Sequence, residues 1–303
     1  TEVEYKKYKE YREQWHYRAK NFDPGDFPLA VCCELVSTCN LSCSMCYTVT
    51  DSFKNSVIGA QRMMPWKMVK KIINEASELG VYSILFSWRG EPTLYRDKDE
   101  NGNIIDFPTV LKYAREKGIL EITAVTHGQE INKEMAEKIV DAEPSWISFS
   151  LDGIRENYNK IRTPTKWKGK KYDAFKIVCE NIKNLANIRD ERGKTRPAIR
   201  SNSIYPAIEN DEEEYYEILK SLGVDMVTVN ELLDIRTGKP NDEMINKDWA
   251  CQYPFQRISI SANGVMVPCT GAHKEEEGLV LGIYEGSAKK QLRNVDGSIN
   301  TIE

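Results

Sequence analysis

Between residues 29 and 230 the chain alternates short apolar runs with amphipathic stretches, and that alternation narrows its fold to a few architectures. The strand-like runs are Leu29–Val36, Val81–Trp88, Ile119–Thr126, Ser145–Leu151, Pro197–Ile204 and Val224–Asn230. Helical patterns over Pro65–Leu79, Phe107–Lys117, Asn132–Asp141, Tyr172–Arg189 and Asp211–Ser221 lie between or after them. The first of these helices carries Val69, Ile72, Ile73, Ala76 and Leu79 on one face, with Pro65 at its start and Gly80 just past its end. Asn132 stands where it caps another. Strands regularly interrupted by helices predict an α/β fold on a parallel sheet, here with six β–α steps and no sign of eight. Residues 1–20 predict a further helix with an aromatic stripe of Tyr5, Tyr8, Tyr11 and Trp15. Packing of that stripe on the main domain is the expected role; a base-stacking platform is the alternative.

At 303 residues the chain suffices for one large α/β domain, or a large domain with a small one. Its 41% hydrophobic and 29% charged content describes a soluble globular protein. No apolar run reaches the 18 or so residues of a membrane span. A net charge of −4, with short acidic runs at Asp211–Glu214 and Glu275–Glu277, invites no nucleic acid. Eight cysteines without a secretion signal are too sparse for a disulfide framework and point to a reducing cytoplasm.

Three of those cysteines share the run Cys39-Asn40-Leu41-Ser42-Cys43-Ser44-Met45-Cys46, directly after the first strand. The loop supplies three thiolates, whereas a 4Fe–4S cluster normally takes four. Three leave one iron with an open position, the mark of a reactive rather than a sealed centre. A zinc site would want a fourth Cys or His nearby, and only His127 follows within a hundred residues. Cys32, Cys33 and Cys179 fall inside a strand or a helix and read as small buried hydrophobes. His16 and His273 sit in no ligand pattern.

In parallel barrels chemistry gathers at the C-terminal ends of the strands. The second strand ends in Arg89-Gly90-Glu91-Pro92 and the third in Thr126-His127-Gly128. The fourth ends in Ser148-Phe149-Ser150-Leu151-Asp152-Gly153, the fifth in Arg200-Ser201-Asn202 and the sixth in Asn230-Glu231. With the cysteines after the first, six polar or glycine-bearing ends are available to build one mouth.

These motifs, in this order, resemble the radical S-adenosylmethionine superfamily. The resemblance implies a partial (β/α)6 TIM-like barrel with a 4Fe–4S cluster on Cys39, Cys43 and Cys46 as the catalytic centre. The open iron of that cluster chelates S-adenosylmethionine, and an electron splits the cofactor to a 5′-deoxyadenosyl radical. By the same resemblance Gly90, Glu91 and Pro92 contact the methionyl ammonium, where a carboxylate is physically apt. Thr126 opens a Thr-Asn-Gly-like turn in which His127 replaces Asn. Ser150, in the segment that includes Asp152, meets the ribose hydroxyls. Arg200, Ser201 and Asn202 fall where the family contacts the ribose or the methionyl carboxylate. Tyr47 or Met45 covers the adenine. Arg89 stands where the family often has a second Gly, and reads either as a holder of an anionic substrate group or as half of a salt bridge. A reductant such as flavodoxin or ferredoxin is implied. A non-catalytic Fe–S electron-transfer protein is the alternative from another class.

Past residue 231, Arg257–Ala262 and Val265–Pro268 flank Asn263-Gly264, a strong hairpin signal. Cys251 and Cys269 bracket it. Their spacing around Gly264 resembles the opening of SPASM and Twitch modules, where two such cysteines ligate an auxiliary Fe–S cluster. No cysteine follows Cys269. The expectation is that the remaining ligands lie beyond this sequence, with His273 as a substitute, a lost site, or two core cysteines as the other readings. The expected organisation is an N-terminal helical extension over 1–28, the radical core over 29–235 and the auxiliary module over 236–303. Only about 28 residues precede the barrel, too few for a leader-binding domain. The expected substrate is therefore a small polar molecule such as a carbohydrate, dehydrogenated or epimerised, with modification of a peptide or protein side chain as the alternative.

Overall fold

The computed structural model describes residues 1–54, 63–164, 173–232, 251–271, 280–284, 291–293 and 299–301. Six strands form the expected parallel sheet: β1 (Ala30–Cys33), β2 (Ser83–Leu85), β3 (Glu121–Thr126), β4 (Trp146–Ser150), β5 (Ala198–Ile204) and β6 (Met226–Asn230). They pair in chain order, with Val31 opposite Ile84, Ile84 opposite Ile122, Ala124 opposite Ile147 and Ile147 opposite Ile199. The first two strands are shorter than their apolar runs. Past their ends Glu34 keeps one backbone bond, its amide donating to Ile260 O at 2.9 Å, while its carboxylate and Ser87–Arg89 turn to side-chain bonding at the mouth.

Helices α2 (Trp66–Leu79), α3 (Phe107–Glu116), α4 (Lys133–Ala142), α5 (Arg155–Ile161), α6 (Ala174–Glu191) and α7 (Glu212–Ser221) accompany the sheet. The apolar stripe read from the sequence is the face α2 buries, through Val69, Ile72, Ile73 and Ala76. Leu79, at the end of that stripe, stays exposed. Asn132 caps α4 by accepting from the Met135 amide at 2.9 Å. The outward strand residues Ile84, Ile122, Ala124, Ile147, Phe149 and Ile199 are fully buried in one core with these helices. Each of the Ile and Phe side chains contributes roughly 1.5–3 kcal/mol.

Alternate strand residues face the other way. Ser83, Leu85, Glu121, Thr123, Trp146 and Arg200 line a cavity of about 510 Å³ near the N-terminal ends of the strands. Helix α1 (Glu2–Asn21) closes that end with Tyr8, Tyr11 and Trp15. Tyr11 is buried and stacks on Tyr82, ring centroids 5.2 Å apart. The Trp15 carbonyl accepts from Gln256 at 2.9 Å. The Tyr11–Trp15 half of the aromatic stripe is therefore a packing surface, while Tyr5 and Tyr8 stay exposed.

The hairpin at Asn263-Gly264 forms: β7 (Arg257–Ile260) pairs antiparallel with β8 (Val265–Val267), and Gly264 takes a left-handed φ of 84° at the turn. The sequence does not announce where it docks. β7 lies parallel to β1, and β9 (Gly282–Ile283) pairs with β8. The result is a nine-stranded sheet in the order β9-β8-β7-β1-β2-β3-β4-β5-β6. Two further elements join these: a hairpin of Arg96–Lys98 with Ile104–Asp106, whose turn carries its own Asn-Gly signal at Asn101-Gly102, and α5, which has no clear sequence signal. Among the described residues no helix is long and apolar enough to cross a membrane.

Candidate active site

The loop after β1 brings Cys39, Cys43 and Cys46 to the wall of one cavity of about 160 Å³ at the C-terminal end of the sheet. Backbone bonds from two directions fix that loop. The Glu91 amide donates to the Thr38 carbonyl at 2.9 Å. Across the loop, Ser42 N–H donates to Thr163 O at 2.6 Å and Ser44 N–H to Ile161 O at 3.3 Å, so the segment after α5 braces it. Leu41, buried, bridges to Pro164.

Each of the three sulfurs has a polar neighbour. The Leu41 amide donates to Cys39 Sγ at 3.4 Å, Thr48 Oγ1 lies 2.9 Å from Cys46 Sγ, and Arg162 Nη1 donates to Cys43 Sγ at 3.6 Å. Burial, helped by the nearby Glu91 charge, pushes the Cys39 thiol up to about 12. Burial also raises Cys43, against the lowering pull of Arg162. Metal binding deprotonates such thiols and releases their protons. Among the described residues no three His, Cys, Asp or Glu side chains converge on a single-ion site. Here three thiols line one cavity, with N–H donors aimed at two of the sulfurs, and that donor set fits a 4Fe–4S cluster.

Glu91 ties the ends of β2 and β3 together. Its Oε1 accepts from Thr93 N–H at 3.1 Å, Thr93 Oγ1 at 2.6 Å and Thr126 Oγ1 at 2.6 Å. Its Oε2 accepts from His127 N–H at 2.9 Å. Gly90 before it is required by contact: a Cβ there would lie 2.3 Å from Val36 O and 2.5 Å from Thr38 O. His127 continues the web into the cysteine loop. Its Nδ1 accepts from Gln129 N–H at 3.0 Å, so Nε2 carries the proton and donates to Asn40 Oδ1 at 2.8 Å. Asn40 in turn donates to Glu130 at 2.6 Å. Burial holds the His127 ring below its ordinary value, against the raising charge of Glu91. Asn181 of α6 supports the turn by donating to the carbonyls of Gly128 and Gln129.

Arg89 resolves to a buried salt bridge. Its Nε and Nη2 reach the two oxygens of Glu34 at 2.8 and 2.6 Å, and both side chains are fully buried. Glu34 Oε2 also accepts from the Ala262 amide at 3.0 Å, binding the hairpin of β7 and β8 to the barrel. The Arg89 guanidinium lies 3.9 Å from the ring centre of Trp88, whose Nε1 donates to Thr270 O at 3.0 Å. Trp88 lines the cysteine cavity, so the Cys269–Thr270 segment abuts the mouth.

The other residues singled out by sequence divide. Gly90, Glu91, Thr126 and Ser150 line the cavity; Pro92 is the first residue of a 3-10 turn behind it. Asp152 turns away from the cavity: its Oδ2 holds Arg162 Nε at 2.7 Å and its Oδ1 accepts from the Ile204 amide at 3.1 Å. Ser201 faces the helix layer, fully buried and 3.0 Å from Tyr215 Oη of α7, which removes it from the cofactor face. Arg200 points into the cavity at the base of the sheet, its guanidinium 4.6 Å from the ring centre of Trp146. Asn202 is the register partner of Ser150 and accepts from Asn230 at 2.6 Å. Tyr47 opens a short 3-10 turn and meets Phe53 edge-on, 5.5 Å between centroids. Cys251 is exposed and Cys269 half-buried; His273 lies outside the described residues. Sequence reasoning missed Glu34, Asn40, Trp88 and Arg162. Only Asn40, inside the cysteine run, carried a local signal.

The sequence profile of the Radical SAM superfamily matches residues 34–189. The Fe-coproporphyrin III synthase of Methanosarcina barkeri is 35% identical over 124 residues, 41% of this chain and 27% of that protein. The mycofactocin maturase MftC of Mycolicibacterium smegmatis is 27% identical over 169 residues, 55% of this chain and 37% of that protein. Both matches thus span well under half of the relative. The crystal structure of Streptococcus suis SuiB bound to precursor peptide SuiA superposes with a TM-score of 0.59 at 16% identity, covering 88% of this chain and 64% of that one. Native anSMEcpe with bound AdoMet gives a TM-score of 0.60 at 14% identity, covering 84% and 78%. At these identities the structural likeness shows the fold.

Proposed function

This chain belongs to the radical SAM superfamily, with the 4Fe–4S cluster and S-adenosylmethionine that membership brings, and we propose that it modifies a peptide or protein side chain. When bound, the cluster supplies the electron that splits S-adenosylmethionine into methionine and a 5′-deoxyadenosyl radical, which takes a hydrogen atom from the substrate. The observation that carries this reading is the meeting of Cys39, Cys43 and Cys46 with Gly90, Glu91, Thr126 and Ser150 on one cavity. Cys39, Cys43 and Cys46 hold the cluster. Glu91, a buried carboxylate in the cavity wall whose Oε2 meets, among the described residues, only the His127 amide at 2.9 Å and the His127 ring at 3.4 Å, offers that oxygen to the methionyl ammonium. Ser150 offers its hydroxyl to the ribose. His127, Asn40 and Arg162 orient the loop and keep its sulfurs in place.

For the substrate, the maturase relative supports a peptide. The porphyrin-synthase relative favours a polycarboxylate ring instead. Among the described residues the cavity does not favour the second: the two guanidinium groups that line it, Arg89 and Arg162, are held by Glu34 and Asp152. Nothing in the comparisons supports the carbohydrate expected from the short N-terminal extension. Eight cysteines with no disulfide suit a reducing cytoplasm.

The test is anaerobic reconstitution with iron and sulfide, then reduction with S-adenosylmethionine present. Wild type is expected to yield 5′-deoxyadenosine; Cys39→Ala/Cys43→Ala/Cys46→Ala is expected to lose both the product and the cluster's visible absorption. Product without the three cysteines would refute the site. Deuterated peptides encoded beside the gene, compared with deuterated coproporphyrin, decide the substrate by which label enters 5′-deoxyadenosine.

A further inference from the structure

We propose that Arg162 sets the reduction potential of the cluster held by Cys39, Cys43 and Cys46, by fixing a positive charge and an N–H donor on the Cys43 sulfur. The inference rests on the proposed function. Its starting point is a symmetric bracket: Ser42 and Ser44, the two neighbours of Cys43, donate to the carbonyls of Thr163 and Ile161, the two neighbours of Arg162. Backbone bonding thus registers residue 162 against residue 43. The side chain completes the registration, with Nη1 on Cys43 Sγ at 3.6 Å. Nε is held on Asp152 Oδ2 at 2.7 Å, and Nη2 bonds the same oxygen. Asp152 is itself anchored by the Ile204 amide of β5. Asp152 and Cys43 are buried, and Arg162 stays charged because the Asp152 carboxylate and its other polar neighbours outweigh the cost of burial.

The potential of an Fe–S centre follows its net charge, the hydrogen bonds to its sulfurs and its exposure. Reduction adds one electron, so a cation and donor at a ligating sulfur favour the reduced state and raise the midpoint. Asp152 acts with the opposite sign, while its bonds keep the guanidinium aimed at Cys43. Arg162 is a positioning residue here, acting on the substrate only through the centre it tunes. The two members of the pair therefore have opposed effects, which a purely structural brace does not produce.

The experiment is a redox titration of the anaerobically reconstituted full chain without S-adenosylmethionine. Titanium(III) citrate supplies the electron, and the reduced cluster is read by electron paramagnetic resonance. Its signal is assigned by its loss in the C39A/C43A/C46A protein, and iron is measured in every variant. Arg162→Gln is expected to keep its iron and lower the midpoint by at least a tenfold loss in the reduction equilibrium, 59 mV for one electron. Arg162→Lys, which keeps the charge, should shift less, and Asp152→Asn should shift upward. Full iron with an unchanged midpoint in R162Q, or a shift of both variants in the same direction, overturns the proposal. If R162Q fails to hold iron, D152N decides: an upward shift supports the role and an unchanged or lowered midpoint ends it. A wild type with no cluster at the three cysteines would refute the proposed function itself, a separate outcome.

Discussion

Replacing Gly90 with Ala tests how tightly the second strand end is keyed to the cysteine loop. The added Cβ would stand 2.3 Å from Val36 O, 2.5 Å from Thr38 O and 2.7 Å from Ser37 C. All three are backbone atoms on the approach to Cys39, so no side chain can swing aside. Reaching an ordinary contact of 3.4 Å requires a backbone shift of about 1 Å, and the Glu91 N–H bond to Thr38 O resists it. Overpacking of this kind costs typically about 1–3 kcal/mol. The larger consequence is positional, because a displaced Thr38 moves Cys39 relative to Cys43 and Cys46. Urea unfolding of the metal-free variant should therefore show a loss of about 1–3 kcal/mol at unchanged m-value. Reconstitution should load less iron than wild type under identical conditions. A G90A protein that matches wild type in both unfolding midpoint and iron content would refute the steric argument, whatever its activity.

Arg89→Met strands the buried Glu34 carboxylate and should cost about 3–5 kcal/mol in urea unfolding, with the Glu34→Gln/Arg89→Met double variant recovering part of it; additive losses would show that the pair does not couple. His127 is held below its ordinary value of about 6.5 by burial, so its contribution to stability is complete above that pH and declines as pH falls from there through the folded value. His127→Gln, which cannot titrate, should remove that acid-side decline from the difference between variant and wild type; an identical pH profile would count against a buried neutral ring. If Cys251 and Cys269 ligate an auxiliary cluster, a full-length chain should hold about eight irons and fall to about four in Cys251→Ala/Cys269→Ala. An iron count that the double substitution leaves untouched makes these cysteines structural.

Strand order and mouth position were legible because each depends on local pattern: period-two apolar runs, helix spacing, and small or polar residues where a run stops. Which side of a strand end faces the cofactor was not. Ser201 and Asn202 adjoin in sequence, and the pleat sends them to opposite faces, Ser201 to Tyr215 and Asn202 to Asn230. Arg200 shares the inward face with Asn202 but sits a step lower, at the base. Long-range partners left no mark either. Arg162 meets Cys43 across 119 positions and Trp88 meets Thr270 across 182, and neither contact generates a periodicity. The hairpin at Asn263-Gly264 declared its own turn, yet nothing local selects the free edge of β1 as its docking place.

Each buried charge at the mouth is bonded to a group from a different strand end. Glu91 joins the ends of β2 and β3, Glu34 and Arg89 join β1, β2 and the C-terminal hairpin, and Asp152 with Arg162 joins the ends of β4 and β5 to the cysteine loop. A buried carboxylate costs several kcal/mol unless it is fully bonded, so each of these groups is stable only when the ends it spans are in register. The strand ends that form the mouth are therefore tied to one another by their own buried hydrogen bonds. Radical chemistry benefits from such a rigid frame, since a hydrogen atom is transferred cleanly only when the reacting groups are held close and solvent is kept out. The C-terminal hairpin belongs to the same network through Ala262 and Thr270. A substitution in that hairpin should thus alter the cysteine cavity even where it touches no cofactor.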